Sequence, residues 1–123
     1  MAKKAEDAYV DAGGREVRVS NPGRVIFPAT DRTGEITKLQ IVEYYLAVGE
    51  GIMRALRERP TTLERWPKGV REGMTLSTRD GHKGDAFYQK RVPKGAPEWV
   101  ETARIQFPSG RHADEVCPTE LAV

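Results

Sequence analysis

Residues 37–60 read TKLQIVEYYLAVGEGIMRALRERP, and their apolar positions predict an amphipathic helix. Thr37 and Gln40 have the spacing of a capping box, in which each side chain bonds the backbone N–H of the other residue. Apolar residues then recur every three or four positions, as a helix with one buried face requires. These residues are Ile41, Val42, Tyr45, Val48, Ile52, Met53 and Leu56.

We predict one long amphipathic helix over residues 38–57, closed by Pro60 because proline cannot continue a helix. Gly49 and Gly51 each weaken the middle of this helix by about 1 kcal/mol relative to alanine. A bend or a close backbone contact is therefore expected near these two glycines.

Short segments around the helix have the alternating pattern of β-strands. One such segment, residues 16–20, precedes the helix, and three follow it, at residues 61–66, 86–92 and 102–107. Strands on both sides of a single helix predict the α+β class, with a small mixed or antiparallel sheet.

The chain has 123 residues, enough for one domain with a modest core and too few for two. Residues 1–14 are polar and end in two glycines, so we predict a flexible N-terminal arm followed by one domain over residues 15–123. Residues 68–85 contain four glycines and predict a loop of a length that is usually functional or disordered.

Nothing in the sequence predicts a membrane segment or an oxidising compartment. The single cysteine, Cys117, cannot form an internal disulfide, and no apolar run approaches the roughly 20 residues that span a bilayer. The first residues lack the apolar core of a signal peptide. We therefore expect a cytoplasmic protein in which Cys117 is an inert thiol.

Basic residues concentrate in the middle of the chain. Between Arg54 and Lys94, eleven basic residues face five acidic ones, so this segment carries +6 while the whole chain carries +2. The rest of the chain therefore carries a net charge of −4. A basic centre between acidic ends would attract a polyanion. A solvated charged surface without a partner is equally compatible with this distribution.

Aromatic residues lie among these cations and favour a nucleic-acid surface. Phe87 and Tyr88 are neighbours in a predicted strand and point to opposite faces, so both enter a core only if the sheet is covered on both sides. Exposed rings stack on bases, and nearby cations such as Arg65 and Lys90 neutralise phosphate charge. These four residues are the candidate template or DNA contacts.

Three polar residues form a candidate phosphate site. Asn21 and Arg24 lie in a loop after a predicted strand, and Lys38 lies at the predicted helix N-terminus. Backbone amides and the helix dipole favour an anion at such a position. Polar residues are also ordinary at loop ends, so this trio alone is a weak signal.

No catalytic or metal site is predicted. Asp80, His82 and Asp85 form a loose acidic and imidazole cluster in the glycine-rich loop, but no second layer of residues supports them. We also find no close pair of acidic residues in an apolar strand, where two-metal nucleotidyl transfer places its ligands. The chain is equipped to hold nucleic acid rather than to join it.

Taken together, these motifs resemble the N-terminal part of the polymerase domain of bacterial ligase D, in the archaeo-eukaryotic primase superfamily. The resemblance covers about residues 15–123, and it is specific as a set. It rests on Ser20-Asn21-Pro22-Gly23-Arg24-Val25-Ile26-Phe27-Pro28, Ile36-Thr37-Lys38, Tyr44-Tyr45, Arg59-Pro60-Thr61 through Val70, Phe87-Tyr88-Gln89-Lys90, Ala96-Pro97-Glu98-Trp99-Val100 and Val116-Cys117.

The resemblance implies a role for both candidate sites. In this family an asparagine and two basic residues grip the 5′-phosphate of a recessed DNA end, and Asn21, Arg24 and Lys38 stand at those positions. Arg24 occupies a position where the family usually has lysine. The family's tandem aromatics, one of which stacks against the template, match Phe87 and Tyr88.

The chain also departs from the family. Glu64 stands where a lysine near the incoming triphosphate is common, and residues 71–84 are longer than the usual link. The family's metal-binding aspartates and its serine-histidine-lysine motif have no counterpart here. The resemblance therefore implies that the full protein adds nucleotides at DNA breaks in non-homologous end joining with Mn²⁺ or Mg²⁺, while this segment lacks the catalytic centre.

Two readings of the segment follow. It is a DNA-end-binding portion of a primase-polymerase, or a non-catalytic remnant that contacts other proteins, such as the ligase or the end-binding Ku protein. An incomplete sheet exposes an apolar edge, which predicts self-association.

Overall fold

The computed structural model describes residues 6–77 and 83–123 and contains eight strands and two helices within them. The strands form four antiparallel pairs, β1–β2, β3–β4, β5–β6 and β7–β8. This architecture confirms the α+β class with small antiparallel sheets. The elements are β1 (Ala8–Ala12), β2 (Arg15–Val19), β3 (Val25–Phe27), β4 (Ile36–Thr37), α1 (Lys38–Ala47), α2 (Gly49–Leu56), β5 (Leu63–Arg65), β6 (Phe87–Gln89), β7 (Thr102–Gln106) and β8 (His112–Val116).

Strand β1 lies within the region predicted to be a flexible arm, residues 1–14. It pairs with β2 along its whole length, from Ala8 opposite Val19 to Ala12 opposite Arg15. The two intervening glycines, Gly13 and Gly14, have φ angles of 67° and 93°, as a tight hairpin turn requires. The glycine pair therefore turns a hairpin and does not end an arm. Residues 1–5 lie outside the described part of the chain.

The predicted single helix is instead two helices, α1 and α2, separated at Val48. The capping box is present: the Gln40 N–H donates to Thr37 Oγ1 at 3.3 Å, and the Thr37 N–H donates to Gln40 Oε1 at 2.8 Å. Val48 has φ −98° and ψ 12°, outside helical geometry. The break falls where Gly49 packs so closely on Leu121 that an added Cβ would lie 2.8 Å from the leucine Cδ2.

Strand β8 was not predicted from the sequence. Its residues, HADEV, contain few apolar side chains, and one of the buried positions is a charged residue, Glu115. Strands β5 and β6 are shorter than the predicted segments, residues 61–66 and 86–92. The alternation rule thus found the β2, β5, β6 and β7 regions and missed β1, the short strands β3 and β4, and β8, whose buried positions include a charged residue.

Few side chains are removed from solvent. The buried apolar residues of the described chain are small or medium in size, and the accessible surface is 9627 Å². A compact monomer of this length exposes about 6,600 Å². The chain thus leaves an unusually large surface uncovered. The buried apolar residues are Ala12, Val19, Met53, Ala86, Ala113 and Val116.

One uncovered region is a recess of about 560 Å³ between the β1–β2 hairpin, the two helices and the last residues of the chain. We call it the apolar face. The side chains lining the apolar face include Val10, Val42, Tyr45, Leu46, Ile52 and Leu121.

Among the described residues, no helix is both long and apolar enough to cross a bilayer.

Candidate nucleic-acid interface

The segment from Ser20 to Arg24 forms a turn that is docked on the N-terminus of α1. The Arg24 N–H donates to the Asn21 carbonyl at 3.1 Å and closes the turn. Asn21 has a φ of 49°, a left-handed conformation that asparagine tolerates better than most residues. The Lys38 N–H donates to the Arg24 carbonyl at 2.8 Å, which joins the turn to the first residue of the helix.

The three predicted phosphate ligands therefore come together around one turn. Lys38 is half-buried, and its Nζ donates to the Ser20 carbonyl at 2.7 Å and to the Ser20 hydroxyl at 3.1 Å. Asn21 and Arg24 are exposed. Neither of these two side chains forms a hydrogen bond or ion pair within the described part of the chain, so both can take up a ligand.

The backbone amides of the helix N-terminus are not available to an anion, in contrast to the expectation from the sequence. The N–H groups of Lys38 and Leu39 donate to the carbonyls of Arg24 and Pro22, at 2.8 and 3.0 Å. The third, from Gln40, donates to the capping Thr37. Because the turn and the cap already satisfy these donors, an anion here must be held by side chains.

Strands β5 and β6 present two faces, because cross-strand partners point to the same side of a sheet and alternate along it. Arg65 is opposite Phe87, and Glu64 is opposite Tyr88. On the Arg65 face, Arg65 Nη1 donates to Gln89 Oε1 at 2.9 Å, and the guanidinium carbon lies 6.0 Å from the centroid of the Phe87 ring. This face combines a cation with a flat apolar surface.

The opposite side, the Glu64 face, carries Glu64, Tyr88 and Trp66. Trp66 Nε1 donates to Glu64 Oε1 at 2.8 Å. Phe87 is 38% exposed and Tyr88 54% exposed, so neither ring enters a core. The alternative in which the sheet buries both aromatics is therefore wrong for this chain, and both rings are free to stack.

Lys90 lies beyond β6, at the edge of a second recess of about 960 Å³ between β6 and the β7–β8 hairpin. Its Nζ lies 4.5 Å from the centroid of the Phe107 ring. Phe107 and two further cations that line this recess, Arg91 and Arg111, were not predicted from the sequence as part of the site. Arg91 follows Lys90 directly, and a wider window around the aromatic pair would have included it.

A tight contact connects the turn region to the β5–β6 hairpin. Strand β3 begins directly after Arg24, and its Ile26 carbonyl accepts a hydrogen bond of 2.7 Å from the Val70 N–H. Gly69 has a φ of 86°, and an added Cβ would lie 2.8 Å from the Ile26 oxygen. Only glycine allows this approach, which fixes the segment after β5 against β3.

The described residues do not provide a two-metal centre. No three His, Cys, Asp or Glu side chains in residues 6–77 and 83–123 are grouped so as to hold a metal ion. Two members of the loose cluster considered from the sequence, Asp80 and His82, lie outside those residues. The third, Asp85, accepts a hydrogen bond of 3.1 Å from the Thr75 N–H.

Strand β8 does contain two adjacent acidic residues, Asp114 and Glu115, which were not among the residues predicted from the sequence. As strand neighbours they point to opposite faces and cannot share a metal ion. Asp114 Oδ1 accepts from Arg104 Nε at 3.1 Å, and this bond lowers the pKa of the Asp114 carboxyl. Glu115 is buried and accepts a 3.3 Å hydrogen bond from the Thr62 hydroxyl.

The antiparallel hairpins, the paired helices and a surface of cations and aromatic rings define an α+β domain of the primase-polymerase type. The chain belongs to the family of LigD primase-polymerase domains, whose model matches residues 37–123. The resemblance drawn from the sequence is thus confirmed.

The chain is similar to LigD proteins of several bacteria. It is 34% identical over 94 residues to the multifunctional non-homologous end joining protein LigD of Mycolicibacterium smegmatis. The aligned region covers 76% of this chain and 10% of that protein. It is 31% identical over 93 residues to the LigD of Pseudomonas aeruginosa, covering 76% of this chain and 9% of that protein. The chain therefore spans about a tenth of the length of these relatives.

A solved structure has the same fold. The polymerase domain of Mycobacterium tuberculosis ligase D, in complex with DNA, superposes with a TM-score of 0.66 at 28% sequence identity. The match covers 86% of this chain and 31% of the solved chain.

Proposed function

We propose that this chain is the DNA-end-binding portion of a ligase D type primase-polymerase used in non-homologous end joining. Asn21, Arg24 and Lys38 hold the 5′-phosphate of a DNA end. The observation that carries the proposal is the turn docked on α1, because it brings the three residues together and leaves the side chains of Asn21 and Arg24 without partners in the described part of the chain.

The phosphate is bound by side chains alone. Arg24 donates a bidentate pair of hydrogen bonds to two phosphate oxygens, and the Asn21 amide donates a hydrogen bond to a third phosphate oxygen. Lys38 exchanges its bond to the neutral Ser20 carbonyl for one to the phosphate, which a doubly charged acceptor favours. Loss of the Ser20 contact on binding couples the phosphate to the end of β2.

The template strand lies along the β5–β6 hairpin. Arg65 and Lys90 neutralise its phosphates, and Phe87 and Tyr88 supply exposed rings for unpaired bases. The pairing of Arg65 with Phe87 across the hairpin supports this role, since it places a cation beside a ring on one exposed face.

The complete protein transfers nucleotides to DNA ends, with Mn²⁺ or Mg²⁺ as the metal cofactor. Support comes from the relatives, which are named as end joining proteins. The part played by this chain is to bind and orient the DNA end.

A second candidate function is a protein-interaction module that contacts the ligase or Ku. The large uncovered surface and the apolar face favour it. Salt dependence separates the two candidates, because each phosphate contact releases counterions and makes DNA affinity fall steeply with salt. An apolar protein contact lacks this dependence.

The test is fluorescence anisotropy with a short gapped duplex, with and without its 5′-phosphate, at two salt concentrations. Tighter binding to the phosphorylated duplex, weakened at the higher salt, supports the DNA-end function. Equal affinity for both duplexes would refute phosphate recognition, and no binding at either salt would leave the interaction module as the better account.

A further inference from the structure

The Glu64 face carries a group that phosphate binding does not use. Glu64 and Tyr88 are direct partners across the antiparallel β5–β6 pair, so their Cβ atoms are about 5 Å apart on the same side of the hairpin. Trp66 follows on the same side and donates its indole N–H to Glu64 Oε1 at 2.8 Å. The row is therefore an exposed ring, a carboxylate and a second ring.

The carboxylate is oriented and uncompensated. The Trp66 bond fixes one oxygen of Glu64, and within the described part of the chain no hydrogen bond is made to the other, Oε2. Within residues 6–77 and 83–123, no lysine, arginine or histidine forms an ion pair with Glu64. The ion pairs in these residues all join other side chains. An exposed negative charge at this position repels a phosphate group but attracts a hydrogen-bond donor.

A base stacked on Tyr88 supplies such a donor. Tyr88 is 54% exposed, and a base lying on its ring extends its edge sideways over the strand pair towards Glu64. The exocyclic N4 amine of cytosine donates to carboxylates, whereas thymine presents a carbonyl oxygen at the same place. The two pyrimidines have similar stacking surfaces, so the carboxylate alone separates them.

We propose that the Glu64 face reads an unpaired template base, with Tyr88 as the stacking surface and Glu64 as the acceptor that prefers cytosine to thymine. This inference rests on the proposed function, since it assumes that a template strand lies on the β5–β6 hairpin. It adds a base preference to a surface otherwise described by charge and exposure.

Glu64→Gln is the decisive variant. Its amide oxygen keeps the hydrogen bond from Trp66, so the local structure is retained. Its NH₂ group, however, replaces the carboxylate oxygen that accepts a hydrogen bond from cytosine. This NH₂ group donates to the thymine carbonyl instead. A purely structural role for Glu64 predicts no change of base preference in this variant, and the reading role predicts loss of the preference.

The experiment compares two 5′-phosphorylated gapped duplexes that differ only in their three unpaired template bases, all cytosine or all thymine. We expect the unaltered chain to bind the cytosine duplex about fivefold more tightly, the low end of a base-specific contact because the site is exposed. In Glu64→Gln the ratio of cytosine to thymine affinity should fall to one or below, because the amide NH₂ donates to thymine and not to cytosine. Tyr88→Ala should weaken binding to both duplexes by a similar factor.

The outcomes separate this inference from the function on which it rests. Retained binding with equal affinity for the two duplexes overturns base reading alone. A preference that survives in Glu64→Gln overturns the assignment to Glu64. Failure of the unaltered chain to bind either duplex overturns both the base-reading site and the DNA-end function.

Discussion

Lys38 Nζ lies 2.7 Å from the carbonyl oxygen of Ser20, so the first residue of α1 is tied to the end of β2 by its side chain. The same lysine is tied by its backbone N–H to the Arg24 carbonyl. The turn between these contacts is thus held at both ends by one residue, and a ligand that recruits the ammonium acts directly on this connection.

Replacing Lys38 tests the phosphate site. Lys38→Gln should weaken binding to a 5′-phosphorylated gapped duplex about tenfold, because one charge-assisted hydrogen bond is lost. Binding to the unphosphorylated duplex should change much less. Anisotropy titrations measure both affinities. Arg54→Gln, which removes an exposed cation from α2, is the matched control, and an equal loss in both variants would contradict a specific role for Lys38.

Asn21 combines a ligand with an unusual backbone angle, and two variants separate these contributions. Asn21→Gly keeps the left-handed turn and should lose phosphate-dependent affinity without lowering the free energy of unfolding appreciably. Asn21→Val should lose both, with a destabilisation of about 1–2 kcal/mol from the strained φ. Urea unfolding and anisotropy report on the two properties, and normal phosphate affinity in Asn21→Gly would exclude the side chain as a ligand.

Two glycines of α2 differ in their surroundings, and alanine should affect them in opposite ways. At Gly51 no atom of the described residues lies within 4 Å of an added Cβ, so Gly51→Ala should stabilise the chain by up to about 1 kcal/mol through helix propensity. At Gly49 the same Cβ meets Leu121, and the gain should be cancelled or reversed. Thermal unfolding of both variants gives the comparison, and equal shifts would show that Leu121 yields freely.

The Arg104–Asp114 pair predicts an acid-dependent contribution to the β7–β8 hairpin. The hydrogen bond from Arg104 holds the pKa of the Asp114 carboxyl below its usual range. The folded pKa is therefore below the unfolded one. The contribution is complete above about pH 4, the ordinary aspartate range, and is lost as the pH falls through the lowered pKa.

An NMR titration of Asp114 tests this pair. In Arg104→Gln the pKa of Asp114 should rise towards its ordinary value, whereas Arg54→Gln on α2 should leave it unchanged. A pKa of Asp114 that is the same in Arg104→Gln and in the unaltered chain would show that the hydrogen bond is not made in solution.

The apolar face predicts self-association. Tyr45 lines this face and is 50% exposed, whereas Tyr9 is 60% exposed and points away from its neighbour Val10, which also lines the face. Tyr45→Glu should shift sedimentation velocity profiles towards the monomer, and Tyr9→Glu should leave them unchanged. A single monomer boundary for the unaltered chain across concentrations would contradict the prediction.

Local sequence signals predicted the elements whose determinants are neighbours in the chain. The start of α1 was predictable because Thr37 and Gln40 cap each other. The break at Val48 lies beside Gly49, where the two glycines predicted a bend or a close contact, but the partner in that contact, Leu121, is far away in the sequence and was not predictable. Strand β8 escaped prediction because its buried face includes Glu115, which the alternation of apolar residues cannot reveal.

The sequence indicated candidate residues for the interface but not their arrangement. The sequence indicated Arg65, Phe87 and Tyr88 as cation and stacking surfaces. Which cation lies beside which ring depends on the register of β5 with β6, and these strands are joined by a long glycine-rich segment. The placement of Glu64 opposite Tyr88 has the same origin and could not be inferred from spacing.

The 9627 Å² of accessible surface also bears on how the chain unfolds. The urea dependence and the heat-capacity change of unfolding both scale with the area that unfolding newly exposes. A chain that has hidden little of its surface should therefore melt over a broad temperature range and respond weakly to denaturant. A partner that covers the apolar face would sharpen both transitions, so the steepness of the melting curve is itself a measure of how completely the chain is covered.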